Sequence, residues 1–400
     1  MVARFNGGAN AGHTVVANGV KYAFHLLPCG ILYPSVRNVL GNGVVLHMQT
    51  LFEELRQLEE NKVDYSGRLF VSDRAHLVTN LQLEWDAANE AAKGDKKIGT
   101  TKRGIGQTYA SKMLRVGMRV GDLRDFDSFS EKYRALVSEF APKFNVQISE
   151  AALSAELEEM KTLSERMHSQ GMVVDTVPLL AQALRDGKRI LAEGANATML
   201  DIDFGTYPFV TSSSTGAGGV CTGLGVPPAA VETTIGVMKA YTTRVGGGPF
   251  PTECLDKVGE HMQTVGHEYG ATTGRKRRCG WLDLNIVKYS NALNGFKSLN
   301  LTKLDVLTGL DEIKVATHYS LGDRIYDGSF PASLDDLAKC EVHYETFAGW
   351  SEDISKASSF EELPANAQKY VTKVEELVGL PLTWIGIAPE REGMIRRHQT

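Results

Sequence analysis

The sequence has few of the features that mark membrane, secreted or zinc-binding proteins. No apolar run approaches the length of a membrane span, and no signal peptide opens the chain. The five cysteines are odd in number and lack CxxC spacing, so we expect neither a disulfide framework nor a zinc site. These absences together predict a cytoplasmic protein in a reducing compartment.

An excess of positive charge is also missing. The 43 lysines and arginines are outnumbered by 48 aspartates and glutamates, which gives a net charge of −5. A general nucleic-acid binder would usually be basic, so this class is disfavoured. We find no internal repeat and no low-complexity linker in the 400 residues. One large domain with helical insertions is therefore the economical prediction.

The most distinctive stretch that is present is a basic loop, Gly270–Trp281. Four consecutive cations follow the segment Thr272-Thr273-Gly274. Glycine lets a ligand approach the backbone, threonine hydroxyls can donate hydrogen bonds, and arginine forks bind carboxylates or phosphates bidentately. The loop therefore predicts a site for anionic ligands. Short basic runs also serve as nuclear-import signals or nucleic-acid patches, and from these residues alone that alternative stays open.

Two further glycine-rich segments have phosphate-binding character. Arg4–Thr14 has three glycines and two asparagines around His13, whose imidazole could act as a general acid beside a phosphate. Ile98–Gly106 combines two threonines with glycines and two cations. Each segment taken alone is also consistent with an ordinary glycine-rich turn.

Segments with strand and helix character alternate along the chain. Val44–Leu46 and Arg68–Ser72 predict strands, whereas Thr50–Glu60 and Leu81–Lys93 predict amphipathic helices. This alternation favours an α/β fold with a central, mostly parallel β-sheet flanked by helices, helical insertions and long ligand loops. Ligands of such sheets bind where strands end in polar loops, which points to the segment after Lys188–Glu193.

Seven motifs, taken in order, resemble those of the adenylosuccinate synthetases, which join IMP to aspartate at the expense of GTP. Any one of them is weak evidence, but seven in the same order along the whole chain are specific. They read Gly-Gly-Ala-Asn-Ala-Gly-His-Thr, Gly-Thr-Thr-Lys-Arg-Gly-Ile-Gly, Glu-Gly-Ala-Asn, Thr-Tyr-Pro-Phe-Val-Thr-Ser-Ser, Gly-Pro-Phe-Pro-Thr-Glu, Ala-Thr-Thr-Gly-Arg-Lys-Arg-Arg-Cys-Gly-Trp and Leu-Thr-Lys-Leu-Asp.

The resemblance implies a GTP-dependent ligase that makes adenylosuccinate, the first committed step of AMP synthesis, through 6-phosphoryl-IMP. It implies that His13 is catalytic and that the backbone oxygen of Gly12 binds one Mg²⁺ ion per subunit. The implied IMP ligands are Asn10, Ala11, Gly12, His13, Thr101, Arg115, Asn196, Thr211 and Arg275. The implied aspartate ligands are Val245, Ala271, Thr272, Thr273, Gly274, Arg275, Lys276 and Arg277. The implied GTP ligands are Gly12, His13, Thr14, Arg277, Lys303, Leu304, Asp305, Gly386, Ile387 and Ala388.

The resemblance also implies a homodimer in which Arg115 reaches the neighbouring site, with no nucleic-acid or membrane partner. Asn196 stands where many members have glutamine, and Ala388 stands where glycine is usual. The family opens with a strand and a phosphate loop resembling Gly-Asp-Glu-Gly-Lys-Gly-Lys, which carries a catalytic aspartate. We therefore expect residues 1–400 to be an N-terminally truncated domain of this family with impaired catalysis. The alternative is an inactive, shortened homologue with a ligand-binding or regulatory role.

Overall fold

A computed structural model describes residues 1–17, 19–94, 99–270 and 274–397 of the chain. The chain divides into two compact units, Met1–Ala230 and Val231–Thr400. Each unit has its own core of buried aliphatic and aromatic side chains.

The first unit alternates strands with helices. Its strands are β1 (Val2–Arg4), β2 (His13–Ala17), β3 (Val20–Phe24), β4 (Asn38–Leu40), β5 (Val45–Leu46), β6 (Leu69–Ser72), β7 (His76–Leu77), β8 (Val173–Val174) and β9 (Leu191–Glu193). Its helices are α1 (Met48–Glu60), α2 (Asn80–Ala92), α3 (Ile105–Leu114), α4 (Phe126–Lys143), α5 (Glu150–Ser169), α6 (Thr176–Arg185) and α7 (Gly218–Leu224). A 3₁₀ turn covers Cys29–Leu32.

Five of these strands form a sheet in the order β8-β6-β4-β1-β9, and all of its strand pairs are parallel. Strands β1 and β4 are buried along their whole length, as expected for parallel strands covered on both faces. Arg4, at the end of β1, pairs in register with Glu193, at the end of β9. The loops that follow these two strands therefore start side by side.

Helix α1 packs on the core of this unit through the apolar face that its sequence predicts. Leu51, Leu55 and Leu58 recur at helical spacing and are all buried. A buried leucine in such a position stabilises the fold by about 2–5 kcal/mol relative to alanine. At the start of the helix, Nδ1 of His47 accepts a hydrogen bond of 3.3 Å from the backbone N–H of Thr50. This contact satisfies one of the first-turn N–H groups that a helix leaves unpaired.

The second unit contains more antiparallel pairing. Its strands are β10 (Ile235–Lys239), β11 (Thr242–Arg244), β12 (Arg278–Gly280), β13 (Leu282–Asp283), β14 (Ser298–Thr302), β15 (Glu312–Leu321), β16 (Arg324–Tyr326), β17 (Glu341–Ala348), β18 (Leu382–Gly386) and β19 (Met394–Arg396). Its helices are α8 (Lys257–Val265), α9 (Leu284–Asn294), α10 (Leu334–Leu337) and α11 (Ala365–Val378).

A four-stranded sheet in the order β10-β14-β18-β19 lies at the centre of the second unit's core. The pairs β10/β14 and β14/β18 are parallel, and β18/β19 is antiparallel. Because Leu301 pairs with Ile385, the polar segments that begin at Lys303 and at Ile387 leave the sheet at the same edge. Ligands of α/β proteins commonly bind at this edge.

The predicted α/β architecture, with a mostly parallel sheet flanked by helices, is confirmed. Two antiparallel features were not predicted. Strand β15 pairs antiparallel with β17, a strand with no fully buried residue that the sequence prediction did not include. The hairpin β2/β3 places His13 and Thr14 in a strand, whereas the sequence predicted that they belong to a loop. In the ranges that the structure describes, no helix is long and apolar enough to cross a membrane.

Candidate active site

The loop after β1 is held in place by a buried arginine. Arg4 is 1% exposed, and its Nη2 donates to the carbonyl of Gly8 at 2.9 Å, while its Nε donates to the carbonyl of Asn6 at 3.3 Å. Burial lowers the pKa of Arg4, and the carboxylates of Glu193 and Glu54 oppose this shift. The guanidinium therefore stabilises the curved backbone from inside the fold.

This loop brings three of the predicted IMP ligands together. Nδ2 of Asn10 lies 3.3 Å from Oγ1 of Thr211. Oδ1 of Asn196 is buried, has no hydrogen-bond partner among the described residues, and would lie 3.2 Å from a Cβ built on Gly7. An unpaired buried carbonyl is costly unless a ligand or water supplies a donor. The arrangement thus leaves amide and hydroxyl groups available for a polar ligand.

Asn6 connects the same loop to both of its neighbouring segments. Its Nδ2 donates to Oγ of Ser213 at 3.2 Å, and its Oδ1 accepts from the backbone N–H of Ala195 at 3.1 Å. Asn6 is buried, at 3% exposed. Its role is therefore to fix the spacing between the segments that carry Asn196 and Thr211.

Two carboxylates of α2 shape the loop that contains Thr101. Glu90 accepts from the backbone N–H of Gly99 at 3.0 Å, and Asp86 accepts from the backbone N–H of Gly104 at 3.1 Å. Thr101 itself is partly exposed. Among the described residues, no hydrogen bond joins Thr101 to Asn10 or Thr211; its position is set by the loop that Glu90 and Asp86 hold.

His13 is the first residue of β2 and is partly buried. Its Nε2 is shielded from solvent and has no hydrogen-bond partner among the described residues. Burial, reinforced by the charge of Arg4, lowers the pKa of His13 to about 4, although Glu54 acts in the opposite direction. The ring is therefore neutral near pH 7 and can donate a hydrogen bond only from a neutral N–H.

Arg115 ends helix α3 in a left-handed conformation, with φ of 63°. Its backbone N–H donates to the carbonyl of Lys112 at 3.1 Å, which closes the last turn. The side chain is exposed. It is therefore directed to the surface of the first unit.

In the second unit, a buried carboxylate organises the predicted aspartate and guanine residues. Glu268 has no exposed surface, and its Oε1 accepts from Nζ of Lys239 at 2.8 Å and from Nζ of Lys303 at 3.0 Å. Tyr241 donates its hydroxyl to the same oxygen at 2.5 Å, and Nη1 of Arg277 donates to Oε2 at 2.6 Å. Burial opposes ionisation, but Lys239 and the other donors outweigh it and lower the pKa of Glu268 to about 2.

Backbone hydrogen bonds join the two ends of the basic loop. The backbone N–H of Gly270 donates to the carbonyl of Arg275 at 2.8 Å, and that of Arg277 donates to the carbonyl of Glu268 at 2.9 Å. Gly274 has φ of 63°, a conformation that favours glycine. Arg275 and Lys276 are exposed. The predicted ligands Ala271, Thr272 and Thr273 lie outside the described residues.

The fourth cation of the basic run, Arg278, is fixed by hydrogen bonds to a carboxylate and to a backbone carbonyl. Nε of Arg278 donates to Oε1 of Glu253 at 2.7 Å, and its Nη1 donates to the carbonyl of Gly248 at 2.8 Å. These bonds tie β12 to the loop that begins at Val245, a predicted aspartate ligand that is half exposed. Arg277 and Arg278 are therefore paired with the carboxylates of Glu268 and Glu253.

The predicted guanine residues meet at the edge of the parallel sheet. Lys303 follows β14 in a left-handed conformation with φ of 61°, and a Cβ built on Gly386 would lie 3.3 Å from the Cα of Thr302. Leu304 is buried, and Asp305 is partly buried, which raises the pKa of its carboxyl group. After β18, the backbone N–H of Ile387 donates to the carbonyl of Gly393 at 2.8 Å. Gly393 in turn packs against Ala388, since a Cβ at Gly393 would lie 2.5 Å from that methyl group.

Sequence reasoning missed Arg4, Asn6 and Glu268. For Glu268 a signal was present, because four adjacent cations need a counter-charge and an acid stands two residues before the loop. Arg4 carried a weaker signal, as a charged residue at the end of an apolar strand.

Comparison with known proteins identifies close relatives. The family model described as adenylosuccinate synthetase matches residues 1–395. An adenylosuccinate synthetase of Paramecium tetraurelia is 58% identical over 393 residues, covering 98% of this chain and 90% of the relative. One from Schizosaccharomyces pombe is 51% identical over 395 residues, covering 99% and 90%. The solved structure of fully ligated adenylosuccinate synthetase from Plasmodium falciparum has a TM-score of 0.94 at 42% identity, covering 99% of this chain and 93% of that one.

Proposed function

This chain belongs to the adenylosuccinate synthetase family, and from that membership we propose that it joins IMP to L-aspartate at the expense of GTP in purine nucleotide synthesis. It is a ligase, and its products are adenylosuccinate, GDP and phosphate. The observation that carries this conclusion is a family match over residues 1–395 together with 58% identity to a relative over 90% of that relative's length. It favours the ligase over a homologue that only binds ligands.

We propose that the first unit supplies most of the IMP site. Asn10, Thr211 and Asn196 offer amide and hydroxyl groups around one loop, and the buried Oδ1 of Asn196 needs a donor that a bound nucleotide would provide. Ala11, Gly12, His13 and Thr101 are the other proposed IMP ligands of this unit for its own site, and Arg275 is the proposed IMP ligand of the second unit. Thr14, together with Gly12 and His13, is proposed to contact the phosphates of GTP.

The second unit is proposed to bind aspartate and the guanine base. The guanidinium group of arginine can bind a carboxylate through two hydrogen bonds. The hydrogen bond from Arg277 to Glu268 fixes the position of this guanidinium. Lys303 and Asp305, with Leu304 and Gly386 to Ala388, form the proposed guanine site. A carboxylate at Asp305 would accept two hydrogen bonds from guanine, which adenine cannot supply. The remaining proposed aspartate ligands are Val245, Ala271, Thr272, Thr273, Gly274, Arg275 and Lys276.

In the proposed reaction, the γ-phosphoryl group of GTP moves to O6 of IMP, and the amine of aspartate then displaces it. Charge on phosphate oxygens grows as GDP leaves, so fixed donors near them lower the barrier. His13 would donate its N–H there as a neutral ring, because its pKa of about 4 leaves it unprotonated near pH 7. Arg277 and its neighbours would orient the aspartate amine toward C6.

A Mg²⁺ ion is part of the proposal, held by the phosphates of GTP and by the backbone oxygen of Gly12. Magnesium prefers oxygen ligands. Within the described residues, the candidate metal cluster that forms contains His13, Cys29 and Glu193, and its thiol is not a magnesium ligand. The protein groups present do not by themselves make a magnesium site, so we derive no step through the ion.

The remaining proposals concern the oligomeric state, the domain organisation and the cellular compartment. We propose a homodimer in which the exposed Arg115 of one chain serves the IMP site of the other. We also propose that residues 1–400 belong to one synthetase domain and that the protein acts in the cytoplasm.

The test is a coupled omission assay on the purified protein. Adenylosuccinate formation, followed by the absorbance change of IMP, should require GTP, IMP and aspartate together, and ATP should not replace GTP. IMP binding is measured in parallel by calorimetry. A folded protein that binds IMP but forms no adenylosuccinate under any of these conditions would instead support the non-catalytic homologue.

A further inference from the structure

Three potential metal ligands meet in the first unit, outside any spacing motif of the sequence. A ring nitrogen of His13, the Sγ of Cys29 and a carboxylate oxygen of Glu193 all lie within 4.8 Å of one another. They come from the start of β2, the 3₁₀ turn and the end of β9. All three residues are partly buried. The sequence predicted no zinc site, because its cysteines lack CxxC spacing.

Two of the three ligand groups already contact one another, since the thiol of Cys29 hydrogen-bonds to the carboxylate of Glu193. Nε2 of His13 is buried and has no hydrogen-bond partner among the described residues. Cys29 is in no disulfide bond. Glu193 accepts the backbone N–H of Cys29 at 3.0 Å through Oε2, which fixes the carboxylate next to the thiol. A metal ion would replace the proton that the thiol now shares with this carboxylate.

The charge balance suits a divalent cation. Glu193 and the thiolate form of Cys29 would bring two negative charges into a partly buried space, where the nearby charge of Arg4 offsets one of them. Coordination to a metal deprotonates a thiol that burial otherwise keeps protonated. One nitrogen, one sulfur and one carboxylate oxygen match zinc or cobalt rather than magnesium or calcium. Three protein ligands leave a fourth position for water.

We propose that His13, Cys29 and Glu193 bind a divalent cation of the zinc class and that this cation inhibits the ligase by holding the His13 ring. The proposed metal binding rests only on the three clustered side chains and not on the proposed function. The inhibitory part rests on the proposed function, in which the same ring has to reach phosphate oxygens.

The binding test uses Co²⁺ as a spectroscopic probe of the native protein. We expect one Co²⁺ per chain, with a thiolate-to-cobalt charge-transfer band in the near ultraviolet that Zn²⁺ abolishes. Cys29→Ser should lose the band and weaken Co²⁺ binding by more than the roughly 10–100-fold that outer partners of metal ligands contribute. Cys221→Ser, a matched change at another partly buried cysteine of the first unit, should keep both. A band retained in Cys29→Ser, or absent from the native protein, would overturn the site.

The inhibition test adds Zn²⁺ at saturating Mg²⁺ and GTP. Native protein and Cys221→Ser should lose activity and regain it with a chelator, whereas Cys29→Ser should keep its activity. Equal inhibition of all three proteins would overturn the inhibitory role. If the chain shows no ligase activity at all, the proposed function fails, and the cobalt spectrum still decides the metal site.

Discussion

A carboxylate without exposed surface stays ionised only if positive charge surrounds it, and Glu268 shows this at the scale of one residue. Its two oxygens accept from Lys239, Lys303 and Arg277. Taken alone, burial would raise the pKa of Glu268, yet the cations lower it to about 2. In the proposed function, Arg277 grips aspartate and Lys303 contacts guanine, so one buried acid sets the position of ligands for two substrates.

Replacing Glu268 with glutamine keeps the shape of the side chain but leaves three cations without their counter-charge. We expect the free energy of unfolding to fall by about 3–5 kcal/mol, the range for removing one partner of a buried ion pair. Glu260→Gln changes an exposed acid on α8 and should cost less than about 0.5 kcal/mol. Chemical denaturation of both variants measures the difference, and equal stability would contradict the central role of Glu268.

The pH dependence of stability in the native protein and in Glu268→Gln tests separately whether Glu268 is ionised. The folded pKa of Glu268 is about 2, below its ordinary value of 4.5, so its contribution to stability is complete above about 4.5 and disappears as the pH falls toward 2. The stability difference between native protein and Glu268→Gln should therefore narrow over that interval. A difference that stays constant down to pH 2 would argue against an ionised Glu268.

Asp305 should decide between guanine and adenine. Sites built to pair with polar edges of a substrate reject analogues that leave those groups unpaired, by roughly 10⁴–10⁵-fold in favourable cases. Asp305→Asn replaces one acceptor with a donor, so we expect the ratio of kcat/KM for GTP over ATP to fall by at least about tenfold. Asp311→Asn, at an exposed position of the same unit, is the control and should keep the native ratio. An unchanged preference in Asp305→Asn would remove it from the guanine site.

At the scale of elements, three histidines mark the starts of β2, α1 and β7. His13 and His76 begin the two strands, and His47 caps the helix by accepting the backbone N–H of Thr50. Burial lowers the pKa of each to about 4, assisted in each case by a nearby cation. Protonated His47 could not accept that hydrogen bond, so the first turn of α1 depends on a neutral ring.

The first unit should therefore lose stability in mild acid. Each ring has a folded pKa of about 4 against an ordinary 6.5, so the folded form is favoured above about 6.5 and loses that advantage as the pH falls toward 4. The shift is about 2.5 pKa units, so at 1.36 kcal/mol per unit the loss is about 3 kcal/mol for each ring. Peptide-resolved hydrogen exchange between pH 7 and 4.5, corrected for intrinsic rates, should show the start of α1 opening first.

The histidine prediction has a direct control. His47→Asn keeps a side-chain acceptor at the cap but removes the titration, so the pH dependence at the start of α1 should flatten. His343→Asn, at an exposed position of the second unit, should leave it unchanged. If α1 exchanges equally fast at pH 7 and 4.5 in the native protein, the cap does not depend on the charge of His47.

At the scale of the whole molecule, the sequence predicted the strands and helices that have a regular pattern of apolar residues. Apolar strands followed by polar loops placed Lys303 and Gly386 at one sheet edge, because parallel strands share that edge. Contacts between distant segments left no such pattern. The basic run pointed to a nearby counter-charge at Glu268, but nothing in the sequence showed that the distant Lys239 and Lys303 would contact the same acid. His13, Cys29 and Glu193 likewise come from distant segments that meet only in the fold. Strand β17 is different, because Val342 and Tyr344 alternate there with charged or polar residues, and this local strand pattern was overlooked in the prediction.

The last prediction concerns assembly, and it follows from the position of Arg115. The left-handed end of α3 directs this arginine to the surface, where the family resemblance assigns it to the IMP phosphate of a neighbouring chain. Arg115→Leu should weaken IMP binding by about 1.5–3 kcal/mol, the range for a hydrogen bond to a charged group. Arg124→Leu, at another exposed position of the first unit, should leave IMP binding unchanged. Mixing Arg115→Leu with Arg275→Leu should restore part of the activity, since a mixed dimer would contain one site with both arginines. No recovery at any mixing ratio, although each variant still forms dimers, would show that Arg115 serves its own chain.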